Sequence, residues 1–142
     1  MAELSGKEKE MLIQAAFEVL PNAYVPYSHF HVAAALLCAD GTVVTGVNIE
    51  NASYPATNCA ERTAIFKAVS EGKREFRAIA ICGGKEGAVT EACAPCGICR
   101  QVMREFCDPE TFLVLLPKSE TEYEEMTLAQ LLPFSFGPEN LA

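Results

Sequence analysis

The stretch TNCAERTAIF, Thr57 to Phe66, places a cysteine, a glutamate and an arginine at the opening of an otherwise apolar helix. Cys59, Glu61 and Arg62 stand almost side by side, and Ala64, Ile65 and Phe66 follow. A second stretch of the same kind, APCGICRQ from Ala94 to Gln101, opens another helix with Cys96 and Cys99. Between the two, FRAIAIC reads as a buried strand, and TFLVLL after the second helix reads as another. Helices that alternate with strands apolar on both faces predict an α/β protein, a mixed sheet covered by helices.

Working outward, Ser5 is the expected cap of a first helix that runs to about Leu20, where Pro21 and Asn22 stop it. Met11, Leu12, Ala15, Ala16, Val19 and Leu20 form its apolar stripe. HVAAALLC and TVVTGVNI, joined at Asp40-Gly41, give a hairpin signal, although the alanines weaken the first strand. The helix from Cys59 is expected to end near Gly72, a residue suited to left-handed termination. GGKEGAVTEACAP reads as a loop, EYEEMTLAQLL as a short strand and a short helix capped by Thr127, and PFSFGPENLA as a tail without periodicity. There is no repeat, linker or low-complexity segment, so residues 1–142 are expected to form a single domain.

The formal net charge is −8, from 11 Lys and Arg against 19 Asp and Glu, and the densest basic patch, GKREFR, contains Glu75. Nucleic-acid binding relies on clustered cations, so a small, weakly charged ligand is the easier partner. The amino terminus lacks the apolar core of a signal peptide, and no apolar run approaches the roughly 18 residues that span a bilayer. A cytoplasmic location is expected, in which seven cysteines, an odd number, do not form a disulfide framework.

Both cysteine stretches place thiols at helix starts, where unpaired N–H groups favour thiolate. Cys59, Cys96 and Cys99 as three soft ligands leave the fourth tetrahedral position of a zinc ion open to water, the catalytic rather than the structural arrangement. Glu61 stands where it can reach such a water without binding the metal. One zinc and three thiolates sum to −1, and a guanidinium on the ligand sulfurs, Arg62, would pull charge back and restore Lewis acidity. A C-x-x-C pair alone also fits a thiol redox site or half of a structural zinc site. Cys93 extends the run to CAPCGIC, which leaves open an iron–sulfur cluster or a closed four-cysteine zinc site. Cys38, Cys82 and Cys107, at the ends of apolar elements, read as small hydrophobes.

PYSHF (Pro26 to Phe30), NIENASYP (Asn48 to Pro55), CAERTA (Cys59 to Ala64), PCGICRQV (Pro95 to Val102) and LLPFSFGPENL (Leu131 to Leu141) occur in this order along the chain. With these five motifs the sequence resembles, over nearly its whole length, the small zinc-dependent, homotetrameric cytidine deaminases that act on free nucleosides. The two cysteine motifs alone would also suit deaminases of guanine, dCMP, blasticidin or nucleic-acid bases. The resemblance implies a three-layer α-β-α fold with a central mixed five-stranded sheet, and one zinc per subunit. It implies hydrolysis of cytidine and 2′-deoxycytidine to the uridine nucleosides and ammonia, with Glu61 as the proton shuttle between water and the ring. It assigns the ribose hydroxyls to Asn48 and Glu50, the pyrimidine face to Phe30 and the ring's polar edge to the backbone of Ala60. It also carries Phe136 across to cover the pyrimidine of a neighbouring subunit, with Tyr54 near the same seam. Ala33, His31 and Cys93 depart from the family's usual residues. A deaminase of another amino-heterocycle is the enzymatic alternative, and a protein whose zinc only stabilises the fold is the non-enzymatic one.

Overall fold

The computed structural model describes residues 3–142. Ser5 closes a capping box with Glu8 at the start of α1 (Gly6–Val19): the Glu8 N–H donates to the Ser5 hydroxyl and the Ser5 N–H to the Glu8 carboxylate. A 3₁₀ turn at Leu20–Asn22 then carries the chain away at Pro21. The expected hairpin is β1 (Phe30–Cys38) and β2 (Val43–Val47), antiparallel, with Ala34 opposite Gly46. Gly41 adopts φ +92° in the turn, and the Thr42 N–H donates to Asp40 Oδ1 at 2.9 Å.

The middle of the chain supplies α2 (Ala60–Ser70), β3 (Phe76–Lys85), α3 (Gly97–Phe106) and β4 (Leu113–Pro117). Then come β5 (Tyr123–Thr127) and the one-turn α4 (Leu128–Leu131), which Thr127 caps in a second capping box with Gln130. Gly72 ends α2 with φ +92°. The sheet order is β2-β1-β3-β4-β5, with β3 and β4 parallel and the other neighbours antiparallel. This is the mixed five-stranded sheet of a three-layer α-β-α fold.

Both sheet faces are covered, which is why β1 shows no polar alternation. Ala33, Ala35 and Leu37 pack with Leu12, Ile13 and Ala16 of α1, while Ala34, Leu36 and Cys38 pack with Ala64, Ile65 and Met103 of α2 and α3. Cys38, Cys82 and Cys107 are buried among apolar side chains, as small hydrophobes would be. In one place the strand exceeds expectation: β3 continues through Gly83, Gly84 and Lys85, because β1 extends far enough to pair Phe30 with Lys85. The two glycines serve that extension. A side chain at Gly83 would press on the His31 carbonyl and the Cys93 sulfur at 3.0 Å, and one at Gly84 would run into the Ala88 carbonyl.

Candidate active site

Cys59 is the N-cap residue of α2 and Cys96 that of α3, each in extended conformation, and Cys99 lies in the first turn of α3 on its buried side. The two helices pack on the same face of the sheet, so residues 37 apart in sequence meet. The sulfurs of Cys59, Cys96 and Cys99 all lie within 4.8 Å of one another, and Cys59 Sγ is 3.9 Å from Cys96 Sγ. Four-coordinate zinc with Zn–S bonds of about 2.3 Å sets its sulfurs about 3.8 Å apart, so the cluster fits a zinc ion. Cys93 is not a member of that cluster. Its sulfur is turned onto Gly83 in the wall beside Glu61, and burial pushes its thiol up to about 11. The closed four-cysteine site therefore has no support in this geometry.

The thiols already carry the electrostatics of a cation site. The Cys99 thiol donates toward Cys59, and Arg62 Nη2 donates to Cys59 Sγ at 3.1 Å; together they pull Cys59 down to about 5. Cys99, the partner that keeps its proton, is held up by that same hydrogen bond and by burial. Arg62 also reaches Cys99, so its guanidinium spans two of the three sulfurs. Glu61 is only 4% exposed, and burial pushes its carboxyl up to about 7. It lies beside Cys59 and Cys99, both of which influence it.

Phe30 stands at the start of β1, 40% exposed, on the rim of an open cavity of about 320 Å³ whose wall includes Gly83, Gly84 and Cys93. Asn48, just after β2, binds back to β1: its Oδ1 accepts from the Val32 N–H and its Nδ2 donates to the Phe30 carbonyl, each at 2.9 Å. Glu50 Oε1 accepts from the N–H groups of Tyr27 and Ser28 at 3.0 and 3.1 Å, and the Ser28 hydroxyl first, then these two N–H groups, hold its carboxyl below the usual range. Asn48 and Glu50 thus tie the Tyr27–Phe30 loop to the end of β2. Ala60, fully buried, begins α2, where its N–H lacks a helical acceptor. Tyr54 is 72% exposed with its ring edge-on to Tyr27 at 6.0 Å, and Phe136, 58% exposed, lies in the tail outside this group.

Three contributors escape sequence reading. Gly46 lets α2 lie directly on β2. Arg100 donates from Nε to the Pro95 carbonyl at 2.7 Å, bracing the residue before Cys96. Ser28 Oγ accepts from the Phe30 N–H at 3.0 Å and links Phe30 to Glu50. Only Arg100 left a signal, a cation immediately after a candidate ligand.

Residues 6–115 match the family described as the zinc-binding region of cytidine and deoxycytidylate deaminases. A cytidine deaminase of Halalkalibacterium halodurans is 49% identical over 134 residues, covering 94% of this chain and 98% of that protein. The crystal structure of cytidine deaminase from Burkholderia pseudomallei superposes with a TM-score of 0.82 at 44% identity, over 94% of this chain and all of that one. That from Mycobacterium tuberculosis gives 0.77 at 41% identity, over 91% and 97%. With three convergent thiols, a buried glutamate beside them and relatives aligned from end to end, the chain belongs to the zinc-dependent cytidine deaminase family.

Proposed function

We propose that this enzyme deaminates the free nucleosides cytidine and 2′-deoxycytidine, with Cys59, Cys96 and Cys99 holding zinc and Glu61 moving the protons. The observation that carries the reading is a carboxyl only 4% exposed beside three thiols within 4.8 Å of one another. Zinc held there supplies the Lewis acidity that makes a water nucleophilic near neutral pH. Glu61 does the rest. Burial sets its carboxyl close to working pH, and a dication nearby favours the ionised form that accepts a proton. It takes the proton of the water whose oxygen attacks C4 and delivers it to N3. It then takes the remaining proton from the hydroxyl now on C4 and passes it to the amino group as the C4–N4 bond breaks, so that ammonia leaves and C4 keeps the oxygen as a carbonyl. Arg62 offsets the surplus negative charge of three thiolates, a role its bond to Cys59 Sγ supports.

Asn48 and Glu50 suit a neutral sugar. Glu50 has one oxygen engaged by Tyr27 and Ser28, which fixes the carboxylate, and that charge would repel a 5′-phosphate. Phe30 supplies an apolar face to the pyrimidine, and the Ala60 N–H a donor at its edge. We further infer a homotetramer in which Phe136 of one subunit covers the pyrimidine of another and Tyr54 lies at the seam. Exposed Phe136, Tyr54 and the fully exposed Phe134 support it, being large aromatics left mostly in solvent in a single chain. A cytoplasmic setting agrees with seven free cysteines, and among the described residues no helix is long and apolar enough to cross a membrane.

The test pairs metal analysis with a substrate panel of cytidine, deoxycytidine, cytosine, CMP, adenosine and blasticidin, run on the wild type and Glu61→Gln. Only the first two should be good substrates. E61Q should keep zinc and lose about 10²–10⁴-fold or more in kcat, since one carboxyl serves several proton transfers. Preference for CMP or cytosine would overturn the roles of Asn48 and Glu50, and zinc-loaded E61Q of wild-type activity would overturn the mechanism.

A further inference from the structure

The chain after α4 has almost no regular structure beyond a 3₁₀ turn at Pro138–Asn140, yet one face of α3 holds the end of α4 and the tail through two carbonyls and two side chains. Arg100 Nη1 donates to the Leu131 carbonyl at 2.6 Å, and Gln101 Nε2 to the Phe136 carbonyl at 2.9 Å. Arg104 Nε donates to Ser135 Oγ at 2.8 Å, and its Nη2 pairs with Glu139. Gly137 lies against the same guanidinium, where any side chain would collide with Arg104, and its N–H donates to Asn140 Oδ1 at 2.7 Å. Arg104 is itself only 10% exposed, while its partner Glu139 is 62% exposed and Gln101 faces solvent. The two rings between the anchors are left outside: Phe134, in left-handed conformation at φ +50°, is fully exposed and Phe136 is 58% exposed. A segment held at the Phe136 carbonyl and at the Ser135 and Glu139 side chains, with its rings in solvent, is a presented surface rather than a frayed end.

We propose that Gln101 and Arg104 are positioning residues for the Phe136 ring, referencing the lid to the helix that Cys96 caps and that carries Cys99. The proposal rests on the reading that Phe136 closes over a neighbouring subunit's pyrimidine. A lid built from Pro133, Gly137 and Pro138, whose regular structure is a single 3₁₀ turn, would otherwise have to be ordered each time substrate binds, and that entropy would be subtracted from affinity. Hydrogen bonds from a rigid helix remove the cost in advance. Neither residue is among the three clustered cysteines or hydrogen-bonded to one, so their effect falls on substrate binding rather than on metal or chemistry.

The test compares Gln101→Leu, Arg104→Met, Arg104→Lys, Phe136→Ala and the double variant Arg104→Met/Phe136→Ala as zinc-loaded protein. Steady-state kinetics on cytidine, zinc content and amide hydrogen exchange over residues 132–141 are measured for each. Q101L and R104M should raise KM about three- to tenfold, the scale of one or two lost hydrogen bonds, with kcat within about twofold. Exchange over the tail should quicken, R104K should recover part of the loss, and R104M should add nothing to F136A. If F136A raises KM while Q101L and R104M do not, the positioning role is overturned and the lid reading stands. If F136A leaves KM unchanged, the lid reading falls and the proposal with it. If R104M acts additively with F136A, or lowers zinc content and kcat in step with binding while Q101L is silent, α3 merely braces the tail and the proposal is overturned.

Discussion

Gly46 is where the sheet and the helix bearing Cys59 and Glu61 come closest, and a single methyl there measures how tightly the site depends on that approach. A Cβ at position 46 would lie 2.5 Å from the Ala64 nitrogen, 2.7 Å from the Ala60 carbonyl oxygen and 3.0 Å from Thr63 Cβ. The two nearest atoms are backbone of α2, so no side chain can swing aside. Ordinary contact begins at 3.4 Å, which leaves a shortfall of about 0.9 Å against Ala64. Strand β2 is held by its pairing with β1, Ala34 opposite Gly46, so α2 is the element that must retreat. Overpacking of this kind costs about 1–3 kcal/mol, or roughly 3–10 °C in Tm for a chain of this size. The functional loss should be larger. Cys59 would move relative to Cys96 and Cys99, where metal distances tolerate about 0.2 Å, and Glu61 would shift by an amount that can cost about 10²-fold in rate. Gly46→Ala should therefore show kcat/KM on cytidine reduced about 10²-fold and faster zinc loss to a chelator. Gly6→Ala, where nothing lies within 4 Å, is the control and should be neutral or slightly stabilising. G46A with wild-type Tm, zinc retention and turnover would refute the close-approach argument.

The cysteines should sort by environment when alkylated at pH 8 and mapped by mass. Chelation should make Cys59 the leading reactive thiol, since Cys99 and Arg62 pull it down to about 5. Cys82 and Cys107, each pushed up to about 12 by burial, should stay unlabelled until denaturant is added, and their labelling in native protein would contradict the buried placement. Asp40 predicts a pH effect. Its carboxyl is held well below its ordinary value of 3.8 by the Lys73 ammonium 2.6 Å away and then by Thr42. A lowered folded-state value means that its stabilisation is complete above the ordinary value and is lost as pH falls below it. Asp40→Asn should therefore melt below the wild type at pH 7, with the gap closing below about pH 4. A gap that is constant with pH would show that the turn, not the charge, is what Asn disturbs.

What could be read in the sequence was local chemistry. Ser5 and Thr127 cap their helices through residues three positions on, and Asp40-Gly41 turns a hairpin through its own side chain and a left-handed glycine. The three cysteines were legible because two sit three apart at one helix start and the third opens another helix. What stayed hidden depends on segments far apart in the chain. The Gly83-Gly84 pair reads as loop by every local rule. It is strand because β1 runs out to Phe30 and because the loop carrying Ala88 and Cys93 folds back onto it. Gly46 looks like an ordinary weak point in β2, and only the proximity of Ala60 and Ala64 shows that the absent side chain is what admits α2. Glu61 was legible as a neighbour of Cys59, but its burial was not, and burial is what lifts its carboxyl toward working pH. The same division separates the two ends of α3. Cys96 and Cys99 are read from spacing alone, whereas Gln101 and Arg104, a few residues further, acquire meaning only when the tail 31 to 35 residues away lies down on them. Local rules therefore find the candidate ligands and acid, while the contacts that set distant segments against them, here Gly46 beneath α2 and Arg104 beneath the tail, appear only once the chain has closed on itself.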